Sequence, residues 1–280
     1  MYKDSKWAKE IVSMQESDGK WGWFHTLSRS CSSPLTTEQA LRRLSLLGFT
    51  KEDACIQKAL CYLDSCLMGE KQIPDRREKL HDWDIFVSLM LSTWIRIFTK
   101  DNEKANETAK VWAGIITHTF SQGCYDYEKY KQAYVNVWKK APKGGRLVDF
   151  CHFYIVSVLT DCLDEKTQEL FLDYIINKQE GIYYIYGGKI AQPPQFQSRQ
   201  ASYYLAAAEL LSNYINSGRQ LDFIARWLMQ NQNISGKWDM GATVYDKVYF
   251  PLANSWRKKG DREKDCTARI SKLLEKLSAN

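Results

Sequence analysis

Apolar residues along this chain recur every three to four positions and seldom alternate. In "TTEQALRRLSLLG", Ala40, Leu41, Leu44 and Leu47 fall on one stripe, and Gly48 stops it. "DACIQKALCYLDSCL" repeats the pattern with Ile56, Leu60, Leu63 and Leu67. "DWDIFVSLMLSTWIRIF" is apolar on most sides, which predicts a helix buried on most sides. Helical spacing continues through "TAKVWAGIITHTF", "LVDFCHFYIVSVLTDCL", "TQELFLDYIINKQ", "SRQASYYLAAAELLSNYI", "LDFIARWLMQNQ", "VYDKVYFPLANSWRKK" and "KDCTARISKLLEKL". Only "GIYYIYGGKI" is β-like, as a small hairpin or an extended turn. The expected fold class is all-α.

Two kinds of helix alternate. The more apolar kind starts near Thr37, Asp82, Val148, Arg199 and Val244. The kind with one charged face starts near Lys6, Asp53, Ala105, Lys166, Arg219 and Arg262. A hairpin interval of about 50 residues marks a repeat architecture. No such hairpin buries its apolar face alone, so neighbours must stack. One longer interval holds an insertion at 124–145, around "YDYEKYKQAYVNVWKKAPKGGR".

Three turns between hairpins share Gln, Gly and an aromatic residue: "QESDGKWGWF", "NKQEGIYYIYGG" and "QNQNISGKWDMG". Gln at a helix end can donate to the last free carbonyls. Gly supplies the left-handed stop, and Trp covers the next hairpin's edge. The reading is a structural clamp. The turn resembles the QW motif of squalene–hopene and oxidosqualene cyclases, with related turns in protein prenyltransferase β subunits. That resemblance implies a single α/α toroid over 1–280, with about five to six alternating inner and outer helix pairs. It is more specific for architecture than for activity, since the same architecture carries carbohydrate-active enzymes and binding proteins.

In a toroid, the inner-helix N-termini line one mouth. The residues there are Thr36, Thr37 and Glu38; His81, Asp82, Trp83 and Asp84; Arg146, Asp149 and His152; Gln197 and Arg199; and Asp246 and Lys247. "HDWDIF" is the most suggestive stretch, with two carboxylates and an imidazole within four residues. It resembles the Asp-x-Asp-Asp acid motif of squalene–hopene cyclases. Asp82 and Asp84 match the first two aspartates, and the second is the proton donor in that family. Ile85 stands where the last Asp would be. The resemblance implies Asp84 as acid, assisted by Asp82 and His81, with Trp83, Asp149, His152, Arg199 and Arg146 contacting substrate. A structural role is available too: Asp82 is a good N-cap, and Asp84 suits a helix's first turn.

Other clusters carry less. Asp53, Cys55 and His118 match a zinc set by type, but they fall on outer helices. "DCLDE" (Asp161–Glu165) reads as surface capping. Gly144-Gly145 among Lys139, Lys140, Lys143 and Arg146 could cradle an anion or form a solvated loop. Cys151 and His152 are neighbours whose side chains diverge by about 100° on a helix. No metal or cofactor is expected.

Aromatics reach 13%, including ten Trp and sixteen Tyr, which raises the idea of an aromatic-lined cavity. The net charge of +6 is too small to argue for nucleic acid, and no DNA- or RNA-binding signature is present. It leaves room for an anionic ligand or a peripheral contact with an anionic membrane. The longest apolar stretch, 85–98, is too short and too polar to span a bilayer. Eight cysteines without a CxxC pair, and a charged start without an apolar signal core, suggest free thiols in the cytoplasm.

Three functions fit this reading. The first is a terpenoid cyclase/prenyltransferase-like enzyme acting on a lipophilic or prenylated small molecule in a central aromatic cavity. The size of the chain then calls for a small isoprenoid or a protein partner. The second is a carbohydrate-active or sugar-binding toroid using Asp84 and Asp149. The third is a non-catalytic binding or scaffold protein.

Overall fold

The computed structural model describes residues 2–25, 34–77 and 79–279. Cys31, one of the expected free thiols, lies outside them. The described residues form α-helices and short 3-10 turns, with two isolated β-bridges and no extended strand. The all-α expectation holds. The chain divides into two compact units, Met1–Ala109 and Lys110–Asn280.

The first unit carries α1 (Lys6–Ser13), α2 (Thr37–Leu46), α3 (Ala54–Leu67) and α4 (Trp83–Phe98). The boundary falls inside α5 (Glu103–Thr119). Thr36 starts α2 with a reciprocal capping box: its hydroxyl accepts the Gln39 N–H, and the Gln39 side chain accepts the Thr36 N–H. Ala40, Leu41, Leu44 and Leu47 are all fully buried, as their stripe predicts. The α3 stripe is rotated from expectation. Ile56 and Leu63 are buried, but Leu60 and Leu67 are only half-buried, and Cys55, Ala59, Tyr62 and Cys66 complete the face. Helix α4 packs on α3 and buries an unbroken run from Leu89 to Arg96.

The second unit carries α6 (Tyr127–Trp138), α7 (Phe153–Val158), α8 (Glu165–Asn177), α9 (Arg199–Leu211), α10 (Asp222–Gln230) and α11 (Lys259–Ala279). Here α7 packs on α9, and α10 on α11. The expected insertion is largely helix α6. Asp126 accepts the N–H groups of Glu128 and Lys129, and Tyr130, Ala133 and Tyr134 form a buried stripe.

The helix expected near Val244 is absent. Only a 3-10 turn, Ala242–Val244, occurs, followed by irregular chain to Lys258. Asp246 accepts the N–H groups of Val248, Tyr249 and Phe250, offering the backbone an alternative to helix. Pro251 lacks an N–H and disfavours the helical conformation at Phe250. Asp265 on α11 then fixes the segment, accepting the Leu252 and Ala253 N–H groups and the Trp256 indole N–H. Helix α7 is shorter than expected for a related reason. Tyr183 pairs through its backbone with Cys151 and Phe153, and this draws 151–152 out of the helix.

The two Gly-Lys-Trp turns share one hydrogen-bond plan. The Trp21 indole donates to Ile11 O in the last turn of α1 at 2.7 Å. The Trp238 indole donates to Leu228 O in the last turn of α10, also at 2.7 Å. The Trp21 N–H reaches the Thr37 hydroxyl of α2, and the Trp238 N–H reaches the Thr267 hydroxyl of α11. Tryptophan, not glutamine, therefore donates to the helix-end carbonyl, which also accepts the Met14 or Asn231 backbone N–H. The glutamines close the turns, Gln15 donating to Gly19 O and Gln232 to Gly236 O. Gln15 also donates to Cys55 O of α3. Gly19 has φ +100°, and a Cβ there would lie 2.3 Å from Lys58 O, so only glycine fits. The third turn keeps its glycine, Gly181, but docks through the Tyr183 backbone pairing instead of an indole.

The aromatic excess is taken up largely by packing in the second unit. Phe150 and Phe171 are fully buried, and Phe150 packs on Tyr130 at 4.2 Å. The buried hydroxyls of Tyr130, Tyr204 and Tyr214 donate to Val148 O, Ile190 O and Val156 O.

Candidate functional site

"HDWDIF" forms the N-terminus of α4, as its composition predicts. Asp82 occupies the N-cap position without making a side-chain cap hydrogen bond, and Asp84 sits in the first turn. His81 stacks on Phe86, with ring centres 5.5 Å apart and planes 13° apart.

Asp84 opens onto a cleft of about 310 Å³ in the first unit. One wall is a face of α4: Asp84, Val87, Ser88 and Leu91, spaced three to four residues apart, with Trp83 beside them. Cys66 and Leu67, at the end of α3, line it as well. The loop after α3 closes it with Lys71, Ile73, Asp75 and Arg77. Asp75 anchors that loop. Its buried carboxylate accepts the Phe24 N–H at 2.6 Å and the His25 N–H at 3.0 Å. The cleft thus mixes apolar and polar wall, the polar share slightly the larger, with two cationic side chains, Gln72 and an exposed carboxylate in Asp84. Burial raises the Cys66 thiol above its ordinary value, so it is poorly suited to act as a nucleophile.

Glu38, expected at the same mouth, is buried and paired. Arg42 holds one carboxylate oxygen at 2.9 Å, and His25 lies 3.5 Å from the other. Phe86 lies between His81 and His25, the latter packing edge-on at 6.1 Å. Lys71, Arg77 and Asp75 escape the sequence reading. The signal was the charged run "GEKQIPDRREK", whose side of the cleft is set by Asp75 and not by any local pattern.

The other expected substrate contacts lie in the second unit, and none lines this cleft. Arg146 and Arg199 are exposed. Asp149 accepts the Cys151 N–H and is ion-paired to Lys178. Burial pulls the Lys178 amine down, but its hydrogen bond to Asp149 and the surrounding negative charge hold it above its usual value. His152 caps α7, its Nδ1 accepting the Tyr154 N–H, and packs among Tyr154, Tyr183 and Tyr184. In the basic loop, the Gly145 and Arg146 N–H groups are spent within the turn on Pro142 O and Lys143 O. No group of three or more His, Cys, Asp or Glu with metal-binding geometry occurs among the described residues. No helix among them is long and apolar enough to cross a membrane.

Burial pushes the Cys151 and Cys266 thiols up to about 12. The folded protein keeps these protons at a pH where the unfolded chain, near the ordinary 9.0, gives them up. Their contribution to stability is full below that pH and declines as pH rises toward about 12. A disulfide-exchange reagent at mild alkaline pH is expected to modify exposed Cys61 and Cys124 first, and Cys151 and Cys266 only on unfolding. Early labelling of Cys151, mapped by peptide mass, would contradict this burial.

Comparison with protein-family models, curated proteins and solved structures gave no match.

Proposed function

We propose that the chain is a terpenoid cyclase/prenyltransferase-like protein of the α/α toroid type. It acts on a lipophilic or prenylated small molecule with an anionic head group, bound in the α3–α4 cleft. The carrying observation is the lining of that cleft. Leu67 and Val87 offer apolar wall to a hydrocarbon chain, backed by the buried Ile73 and Leu91, while Lys71 and Arg77 offer charge to a phosphate or carboxylate. The volume is in the range of small-ligand sites. The shared plan of the two Gly-Lys-Trp turns supports the architectural half of the reading.

In the catalytic form of this proposal, Asp84 delivers a proton to an alkene carbon as the carbocation forms, and Trp83 faces the developing charge. Because Asp84 is exposed, the bound hydrocarbon itself must exclude water from the carboxyl group.

Geranyl diphosphate, geraniol and pyrophosphate, titrated calorimetrically, test the reading. The diphosphate is expected to bind at least about tenfold tighter than either fragment. Lys71→Ala with Arg77→Ala should remove that advantage. Asp84→Asn should leave binding in place and abolish any turnover of the bound prenyl compound. Equal or absent binding of all three probes overturns the binding claim, and unchanged turnover in Asp84→Asn overturns the mechanism.

A further inference from the structure

A second cleft, of about 360 Å³, lies in the second unit and has a different chemistry. Four carboxamides line it: Gln195 and Gln197 ahead of α9, and Asn231 and Asn233 after α10. Its charged groups are internally matched. Asp239 receives two hydrogen bonds from Arg262, each 3.2 Å long. Glu263 is paired with Lys259 at 3.6 Å. Little net charge is left to recruit an ion.

The carboxamides are only partly used. Asn231 donates to Trp227 O, which leaves its carbonyl oxygen available. Gln197 makes a long contact of 3.5 Å to Asp239 O. Among the described residues, the exposed Gln195 side chain makes no hydrogen bond. Asn233 differs: its carbonyl holds the Ser235 and Lys237 N–H groups, so it shapes the rim. Phe196, between the two glutamines, is buried and packed edge-on against Trp227 at 5.3 Å, which fixes the backbone that carries them.

Carboxamides donate and accept side by side, and so do vicinal hydroxyls. A cluster of amides with balanced charge therefore suits a neutral polyhydroxylated ligand better than an ion or a hydrocarbon. We infer that this cleft is a saccharide-binding site, separate from the prenyl-ligand cleft of the first unit and independent of it.

Nuclear magnetic resonance tests this through side-chain amide signals. Maltotetraose, cellotetraose and chitotetraose would each be titrated to about 10 mM, the range of weak single-site binding. At least one is expected to shift the Gln195, Gln197 and Asn231 amide resonances saturably. Gln197→Ala with Asn231→Ala should weaken that binding at least about tenfold. Gln195→Ala gives a second reading in a chain that keeps its internal hydrogen bonds, and it too should weaken binding. The inference is overturned if none of the three sugars moves these resonances. It is equally overturned if the amide signals that remain in Gln195→Ala and in the double variant titrate with unchanged affinity.

Discussion

Trp21→Ala is expected to destabilise the first unit by about 3–5 kcal/mol, the usual cost of truncating a buried tryptophan. Trp21 is fully buried, so truncation leaves a large void. The same change also removes the indole hydrogen bond to Ile11 O, which keeps only the Met14 N–H at 3.2 Å. Trp21→Phe separates the two effects. It keeps most of the packing but loses the indole hydrogen bond, at about 0.5–1.5 kcal/mol. Gly19→Ala should be damaging for another reason, because backbone rather than a movable side chain occupies the space a Cβ would need. Chemical denaturation followed by tryptophan fluorescence and circular dichroism measures all three. A loss below about 1 kcal/mol for Trp21→Ala would contradict the clamp.

Arg269→Met is expected to be comparably severe in the second unit, at about 3–5 kcal/mol. Arg269 is buried and donates twice to Glu209, at 2.9 and 2.5 Å, and once to Tyr249 O at 3.3 Å. Its guanidinium also lies 4.5 Å from the Phe250 ring centre. Removing it takes two hydrogen bonds from the Glu209 carboxylate and one from Tyr249 O, and loosens the irregular segment after Val244. Because 26% of the Glu209 side chain is exposed, water recovers part of the loss, and the effect should fall at the lower end. Glu209→Leu in the Arg269→Met background should restore much of the stability, since the unpaired carboxylate is then gone. If the double variant is as unstable as the sum of the two single variants, the ion pair is not the cause.

The helices were legible where one apolar stripe governed them. Ala40, Leu41, Leu44 and Leu47 are buried as their spacing requires, and the apolar run of α4 is buried as its composition requires. Legibility failed where side chains competed for the backbone. The segment after Val244 has helical spacing, but the Asp246 carboxylate, Pro251 and the clamp from Asp265 settle its path, and periodicity senses none of them. Helix α6 went unread inside the insertion, although Tyr130, Ala133 and Tyr134 are spaced for a helix.

The candidate site was half legible. "HDWDIF" announces a helix start rich in acid, and that start does border a cleft. Lys71 and Arg77 oppose it from a loop whose position depends on Asp75 binding the backbone of Phe24 and His25, some fifty residues away in sequence. Roles for Arg146, Asp149, His152 and Arg199 at the same mouth came from the resemblance alone. These residues belong to the second unit, where Asp149 is engaged by Lys178.

The central claim is that the α3–α4 cleft holds an amphiphile, with its chain on α4 and its head on the loop after α3. Methyl and indole resonances of Leu67, Ile73, Val87, Leu91 and Trp83, followed during a geranyl diphosphate titration, test this most directly. The account predicts saturable shifts of these signals together, with Lys71→Ala and Arg77→Ala each raising the apparent Kd. Shifts that leave these five residues unmoved, or that are indifferent to both cations, would contradict it.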